Sequence, residues 1–161
     1  MESKIALRVL FVLGSGGHTT RGLILSNQIK AEKYFIVPWE SEVTKQKVGS
    51  NYFSVLSPRF RAKDSRVMTV LRTLFLFLHS LLILLYTRPK VLISTGSGLT
   101  LPPFLIAPFF RIKTIYIESP SRVYYPSIAG KMLIGKTDAW LSSWPELAER
   151  YEGVEYRGMI F

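Results

Sequence analysis

A chain of 161 residues can form one domain with a real core but is short for two. It contains no cysteine, which excludes disulfides, thiol catalysis and thiolate metal sites. Lys and Arg number 21 against 11 acidic residues, a formal charge of +10 that favours anionic partners: nucleic acid, an anionic membrane face or phosphorylated substrates.

Hydrophobic residues make up 48% of the chain and the mean hydropathy is positive, so some apolar surface is expected to meet a lipid or a partner. The opening MESKIALRVLFVLGSGG lacks a signal-peptide cleavage site, and its apolar run over 9–13 is too short for one. No repeat, low-complexity tract or linker divides the chain, and 1–161 is expected to be a single domain.

Short β-branched and aromatic runs alternate with helical patterns. Strands are expected at 8–13, 34–37, 52–56, 91–94, 114–118, 139–142 and 155–156. Helices are expected at about 20–30, 42–47, 65–86, 101–110, 127–135 and 145–151. That order gives an α/β, Rossmann-like doubly wound parallel sheet, which binds ligands beyond the carboxyl ends of its strands. The loops that follow the strands are therefore where chemistry is sought.

The first strand ends in LGSGGHTT, residues 13–20. Its glycines let backbone approach a ligand, Thr19 or Thr20 can cap the next helix, and the helix opening suits a phosphate or diphosphate. Gly14, Gly16 and Gly17 depart from the G-x-G-x-x-G dinucleotide spacing, and no P-loop lysine follows. His18 beside a bound anion can accept a proton from a substrate hydroxyl; its other role is to cap or to bond a phosphate. The second strand runs into VPWESE, where Glu40 is a candidate for holding a ribose.

Next comes SPRFRAKDSR, whose Arg59, Arg61, Lys63 and Arg66 emerge at the same strand-end edge with forks suited to phosphate oxygens. The long apolar helix holds TLFLFLHSLLILLY, uncharged but short of the roughly 20 residues a bilayer crossing needs. Topology also argues against a span, because VLIST must rejoin the sheet begun by RVLFVL. The helix is either a buried crossover or one whose outer face dips into the lipid interface, flanked by Arg66, Arg88 and Lys90 and extended by PPFLIAPFFRIK. His79 inside it reads as a packed or interface histidine.

A second glycine loop, STGSGLTLPP, places Gly96, Ser97 and Gly98 before a helix that Thr100 can cap. The last loop, YIESPSRVYYPSIAGK, carries Glu118, Ser119, Ser121, Arg122 and Lys131. Glu118 there either bridges to Arg122 or bonds a hydroxylated substrate. No D-x-D motif or carboxylate pair appears in the loops, so no metal or cofactor is expected. Nothing resembles a nucleic-acid-binding module, so nucleic acid is not an expected partner.

Taken in order, SGGHT, PRFR, GSG, YIES with SR, PS with GK, W-EL and Y-G resemble the acceptor-side, membrane-anchoring subunit of the two-subunit UDP-N-acetylglucosamine transferase of asparagine-linked glycosylation, together with its bacterial polysaccharide relatives. The resemblance implies the N-terminal Rossmann half of a GT-B glycosyltransferase, inactive alone and completed by a separate donor-binding subunit. The pair is then similar to the single-chain bacterial transferase that makes lipid II. It implies a polyprenyl- or dolichyl-diphosphate-sugar acceptor, with Ser15, Gly16, Gly17, Thr19, Arg59, Arg61, Gly96, Ser97, Gly98 and Arg122 around the diphosphate. His18 and Glu118 are the catalytic candidates.

Direct displacement with inversion, His18 as base, is the expected chemistry. The chain starts almost at the first strand, so attachment to the cytoplasmic face of a membrane is expected to rely on the 65–86 region and the basic surface. That membrane is the plasma membrane of a prokaryote or the endoplasmic reticulum of a eukaryote. Two alternatives stay open: a non-catalytic membrane scaffold for the partner, and a stand-alone nucleotide-binding Rossmann protein.

Overall fold

In the computed structural model, described over residues 7–57 and 66–159, seven strands form one parallel sheet. They are β1 (Arg8–Val12), β2 (Glu32–Pro38), β3 (Tyr52–Val55), β4 (Val91–Ser94), β5 (Lys113–Ile117), β6 (Ala139–Ser142) and β7 (Glu155–Tyr156), in the spatial order β3-β2-β1-β4-β5-β6-β7. The helices are α1 (Gly17–Gln28), α2 (Glu42–Val48), α3 (Arg66–Thr87), α4 (Leu101–Ile106), α5 (Ile128–Leu133) and α6 (Pro145–Arg150). Order reverses between β1 and β4, the switch point at which such sheets open a crevice.

Period-2 alternation explains why the central strands read as unbroken apolar runs: both faces are buried. Leu10 and Val12 of β1 face one layer with Leu76 and Leu84 of α3, Phe104 of α4, Leu133 of α5 and Leu147 of α6. Val9, Phe11 and Leu13 face the other with Leu23 and Leu25 of α1 and Val48 of α2. Right-handed crossovers dictate this division, since the chain winds one way from β1 to β3 and the other from β4 to β7.

The differences from expectation lie at element ends. β2 begins at Glu32 rather than 34, because Glu32 and Lys33 pair with Arg8 and Val9 and the Glu32 carboxylate meets Arg8 Nε at 2.9 Å. α1 begins three residues early, at Gly17, so part of the glycine loop is helix. The helix expected over 101–110 is α4 flanked by 3-10 turns at Gly98–Thr100 and Ala107–Phe110, the second holding Pro108, which has no N–H to continue an α pattern.

Helix α3 corrects the length argument. It has 22 residues, and Val67–Thr87 is long and apolar enough to cross a membrane. Its inner face is nonetheless committed: Leu76, Ser80, Ile83, Leu84 and Thr87 are buried, and it leads directly into β4 at the sheet centre. Val67, Leu71, Leu74, Leu78, Leu82 and Leu85, three or four apart, form an outer stripe that is 47–70% exposed. The fold packs α3 on one side only.

Asp138 ties β5 to the turn before β6: its carboxylate accepts from Thr114 N (2.9 Å), Thr114 Oγ1 (3.0 Å) and Lys113 Nζ (2.6 Å). The Lys113 hydrogen bond, aided by Thr114, holds the Asp138 carboxyl below the usual carboxylate range. A depressed native value means the stabilisation is complete above the unfolded pKa and is lost as pH falls through the native one. Asp138→Ala is expected to cost about 1 kcal/mol at neutral pH, because the ion pair is half-exposed. In thermal unfolding, the gap from wild type should narrow below about pH 4.

Candidate functional site

The loops after β1, β2, β3 and β4 close around a cavity of about 410 Å³ at the switch point. Gly14, Ser15 and His18 line it from the first loop, Pro38 and Glu40 from the second, Ser57 from the third, and Ser97, Gly98 and Leu99 from the fourth. The two glycine loops meet here: a Cβ on Gly14 would stand 3.0 Å from Ser97 Oγ.

His18 lies in the first turn of α1. Its Nδ1 is 2.7 Å from the Thr95 carbonyl oxygen, and Thr95 Oγ1 donates back to the His18 carbonyl at 2.8 Å. A carbonyl oxygen only accepts, so Nδ1 carries the proton and the neutral ring keeps its lone pair on Nε2. Tautomer and ring position are thus set by Thr95, the residue after β4. Gly96 (φ 92°) makes the approach possible: a Cβ there would be left-handed and would stand 3.3 Å from His18 Cε1 and 3.4 Å from Glu118 Oε1. The two catalytic candidates therefore flank one glycine.

Glu118 is 1% exposed, and its oxygens are turned to protein. Oε1 accepts from Ser119 N (2.8 Å); Oε2 accepts from Ser127 N (2.8 Å) and Ser127 Oγ (2.9 Å). Ser127 also caps α5 by accepting from Gly130 N, and Trp140 Nε1 donates to the Gly130 carbonyl. Since the Ser127 hydroxyl hydrogen goes to Glu118, the Tyr116 hydroxyl donates to Ser127 Oγ at 3.0 Å. Burial, with the Glu118 charge behind it, pushes the Tyr116 phenol far above its ordinary range and keeps it a donor. No Glu118–Arg122 bridge forms among the described residues, and Arg122 is exposed.

Capping differs from expectation. Gly16, at φ 61°, is the N-cap of α1 and no side chain caps the helix. Thr19 is buried instead, donating to the Gly14 carbonyl at 2.7 Å and bonding Thr44 Oγ1 at 3.0 Å, so it braces the loop from behind. Thr20 is exposed, its hydroxyl donating to the Gly16 carbonyl at 3.5 Å. Ser97, not Thr100, supplies the cap of the second loop, accepting from Leu99 N at 3.2 Å. Arg59, Arg61 and Lys63 lie outside the described residues.

Ser15, His18, Ser97 and Gly98 are thus brought together at the cavity; Gly16 and Gly17 form the open end of α1; Thr19, Gly96 and Glu118 stand behind them. Sequence reasoning missed Arg21, whose guanidinium donates to Ser119 Oγ at 3.1 Å and ties α1 to the loop after β5. Its spacing was the available signal: four residues after Gly17 on a helix, it returns to the same face. Ser57 was also missed, and Glu40 lines the same cavity as His18.

These features define one Rossmann-like half of a GT-B fold, with a crevice at the switch point and no cluster of metal ligands among the described residues. The solved structure of MurG from Acinetobacter baumannii matches with TM-score 0.76 at 10% identity, over 93% of this chain and 45% of that one. UDP-GlcNAc 2-epimerase from Methanocaldococcus jannaschii matches with TM-score 0.68 at 8% identity, over 93% and 45%. The chain spans less than half of these structures.

Residues 9–160 match the family model described as "Oligosaccharide biosynthesis protein Alg14 like", and the chain belongs to that family. It is similar to UDP-N-acetylglucosamine transferase subunit alg14 of Schizosaccharomyces pombe, 30% identical over 94% of this chain and 82% of the relative. It is also similar to the ALG14 subunits of Candida albicans (28%; 92% and 76%) and Homo sapiens (27%; 96% and 83%).

Proposed function

We propose that this chain is the acceptor-side subunit of a heteromeric UDP-GlcNAc transferase, docked on a membrane through the outer face of α3. It binds a polyprenyl- or dolichyl-diphosphate sugar and recruits a second subunit that holds the UDP-sugar. The observation that carries the reading is His18: an imidazole with a fixed tautomer in the wall of a cavity framed by two glycine loops. Support for the assembly comes from the relatives' description as transferase subunits and from a fold that spans less than half of matching GT-B-type chains.

Within this reading the uncapped opening of α1, with Gly16 and Gly17, faces the acceptor diphosphate. Nε2 of His18 takes the proton of the acceptor sugar hydroxyl as its oxygen attacks the donor anomeric carbon. The carbon–oxygen bond to UDP breaks with its electron pair leaving on UDP, which inverts the centre. Glu118 and Thr95 act as positioning residues, one organising α5 and the far side of Gly96, the other clamping His18.

The outer stripe of α3 supplies the lipid contact, since a soluble monomer rarely exposes so long a run of Leu, Val and Phe. The test pairs the chain with a donor-binding subunit and compares two acceptors, one long-chain in vesicles and one short-chain in solution. Leu74→Glu with Leu78→Glu should cut transfer to the vesicle-borne acceptor at least about tenfold, each buried leucine contributing about 2 kcal/mol. Transfer to the soluble acceptor should stay near wild type. Equal loss on both acceptors, or on neither, contradicts the docking.

A further inference from the structure

At the opposite end of the sheet from His18, a second cavity of about 480 Å³ is lined by Leu84, Leu85, Arg88, Pro89, Lys90, Phe110, Arg111 and Ile112. Three of these are cations, and none has a carboxylate partner among the described residues. That is not the rule at this edge. Arg8 is paired with Glu32, and Lys113 with Asp138. Arg88, Lys90 and Arg111 have no such partner among the described residues, and all three line one cavity.

Two of the three are held in an unusual backbone. Arg88 (φ 44°) and Arg111 (φ 55°) are the non-glycine residues with positive φ among the described residues, each just past a helix end, where glycine is the common occupant. An arginine in the left-handed region costs about 1 kcal/mol relative to glycine. The same cost at two positions facing the same cavity points to a use for the guanidinium groups.

The carbonyl end of α3 is met mainly by other donors. Its carbonyls receive Arg88 N at Leu84, Thr87 Oγ1 at Ile83 and Arg8 Nη1 at Thr87. Among the described residues, Nε of Arg88 is the one side-chain nitrogen of the three cations that is spent, in a 3.4 Å bond to Leu85 O. The cavity is continuous with the lipid-facing stripe, since Leu85 belongs to both, and Phe109 (86% exposed) precedes Phe110 of its lining. Cations grouped near an exposed aromatic at the end of an apolar face suit the headgroup level of a bilayer.

We propose that Arg88, Lys90 and Arg111 bind the phosphate of an anionic phospholipid in the membrane on which α3 lies. The inference rests on the docking of α3. It adds a second contact, separate from the acceptor cavity, that fixes the end of α3 remote from His18 at the headgroup plane.

The test measures partitioning of the full chain onto phosphatidylcholine vesicles and onto the same vesicles doped with phosphatidic acid. The variant combines Arg88→Gly, Lys90→Ala and Arg111→Gly, in which glycine relieves the left-handed backbone and so preserves the fold. Wild type should prefer the doped vesicles. The variant should bind them about 100-fold more weakly, at about fivefold per cation, while keeping its affinity for phosphatidylcholine alone.

A wild type that binds both vesicles equally overturns this inference and leaves the docking of α3 intact. A wild type that binds neither overturns both. A variant that keeps the full preference overturns the assignment to these residues. Displacement from doped vesicles by inorganic phosphate at matched ionic strength makes the ligand a soluble anion and overturns the lipid assignment.

Discussion

Replacing His18 with Ala is expected to lower kcat of the reconstituted pair by about 10²–10⁴-fold while leaving the acceptor KM close to wild type. The size follows from the ring's arrangement. With Nδ1–H committed to the Thr95 carbonyl, Nε2 is the acceptor left for a sugar hydroxyl, on a ring that lines the cavity. The backbone amides of the two glycine loops stay in place without the ring, which is why acceptor binding should survive. His18→Gln separates the roles further, since an amide can bond a phosphate but cannot hold the transferred proton. Near-normal turnover in either variant would remove the base and leave a scaffold, with every reacting group on the partner.

The second large effect is expected at Glu118. Glu118→Ala strands two backbone N–H groups and the Ser127 hydroxyl in a buried spot, at about 1–3 kcal/mol for each stranded donor, so a loss of at least about 3 kcal/mol is expected in chemical denaturation. Gly130→Ala attacks the same network sterically. Its Cβ would collide with Glu118 Oε2 and stand 3.0 Å from both Ser127 Oγ and Trp140 Cζ2, none of which has room to move around the buried carboxylate and indole. Glu118→Gln should fall between: one oxygen still accepts from Ser127, while the amide nitrogen faces the Ser119 N–H. A positioning role requires that transfer and stability decline together across the three variants. Full stability with transfer lost in Glu118→Gln would instead place this carboxylate on the substrate.

The central strands were legible because burial on both sheet faces leaves a continuous apolar run, whereas the edge strand β7 is two exposed residues, Glu155 and Tyr156. Two glycine loops at strand ends, with the reversal between β1 and β4, located the crevice for the same reason. What sequence left open was which side chains turn inward. Thr19 and Ser15 are both small hydroxyl residues in one loop, yet one braces it and the other lines the cavity. The difference is a helix that starts at Gly17, which turns Thr19 toward α2. Glu118 read as a partner of Arg122 or of a substrate, because its bonds to Ser127, nine residues on at the cap of α5, are a tertiary arrangement. The half-exposed state of α3 was equally hidden, since a helix apolar all round reads alike whether protein or lipid covers its second face.

The account stands on an acceptor diphosphate-sugar seated where the loops after β1 and β4 meet. Photo-crosslinking with a diazirine-bearing polyprenyl-diphosphate-GlcNAc, followed by peptide mass spectrometry, tests this directly. The account predicts labels within 14–18 and 97–99, competed away by unlabelled acceptor. Labels confined to other loops, or insensitive to competition, would contradict it.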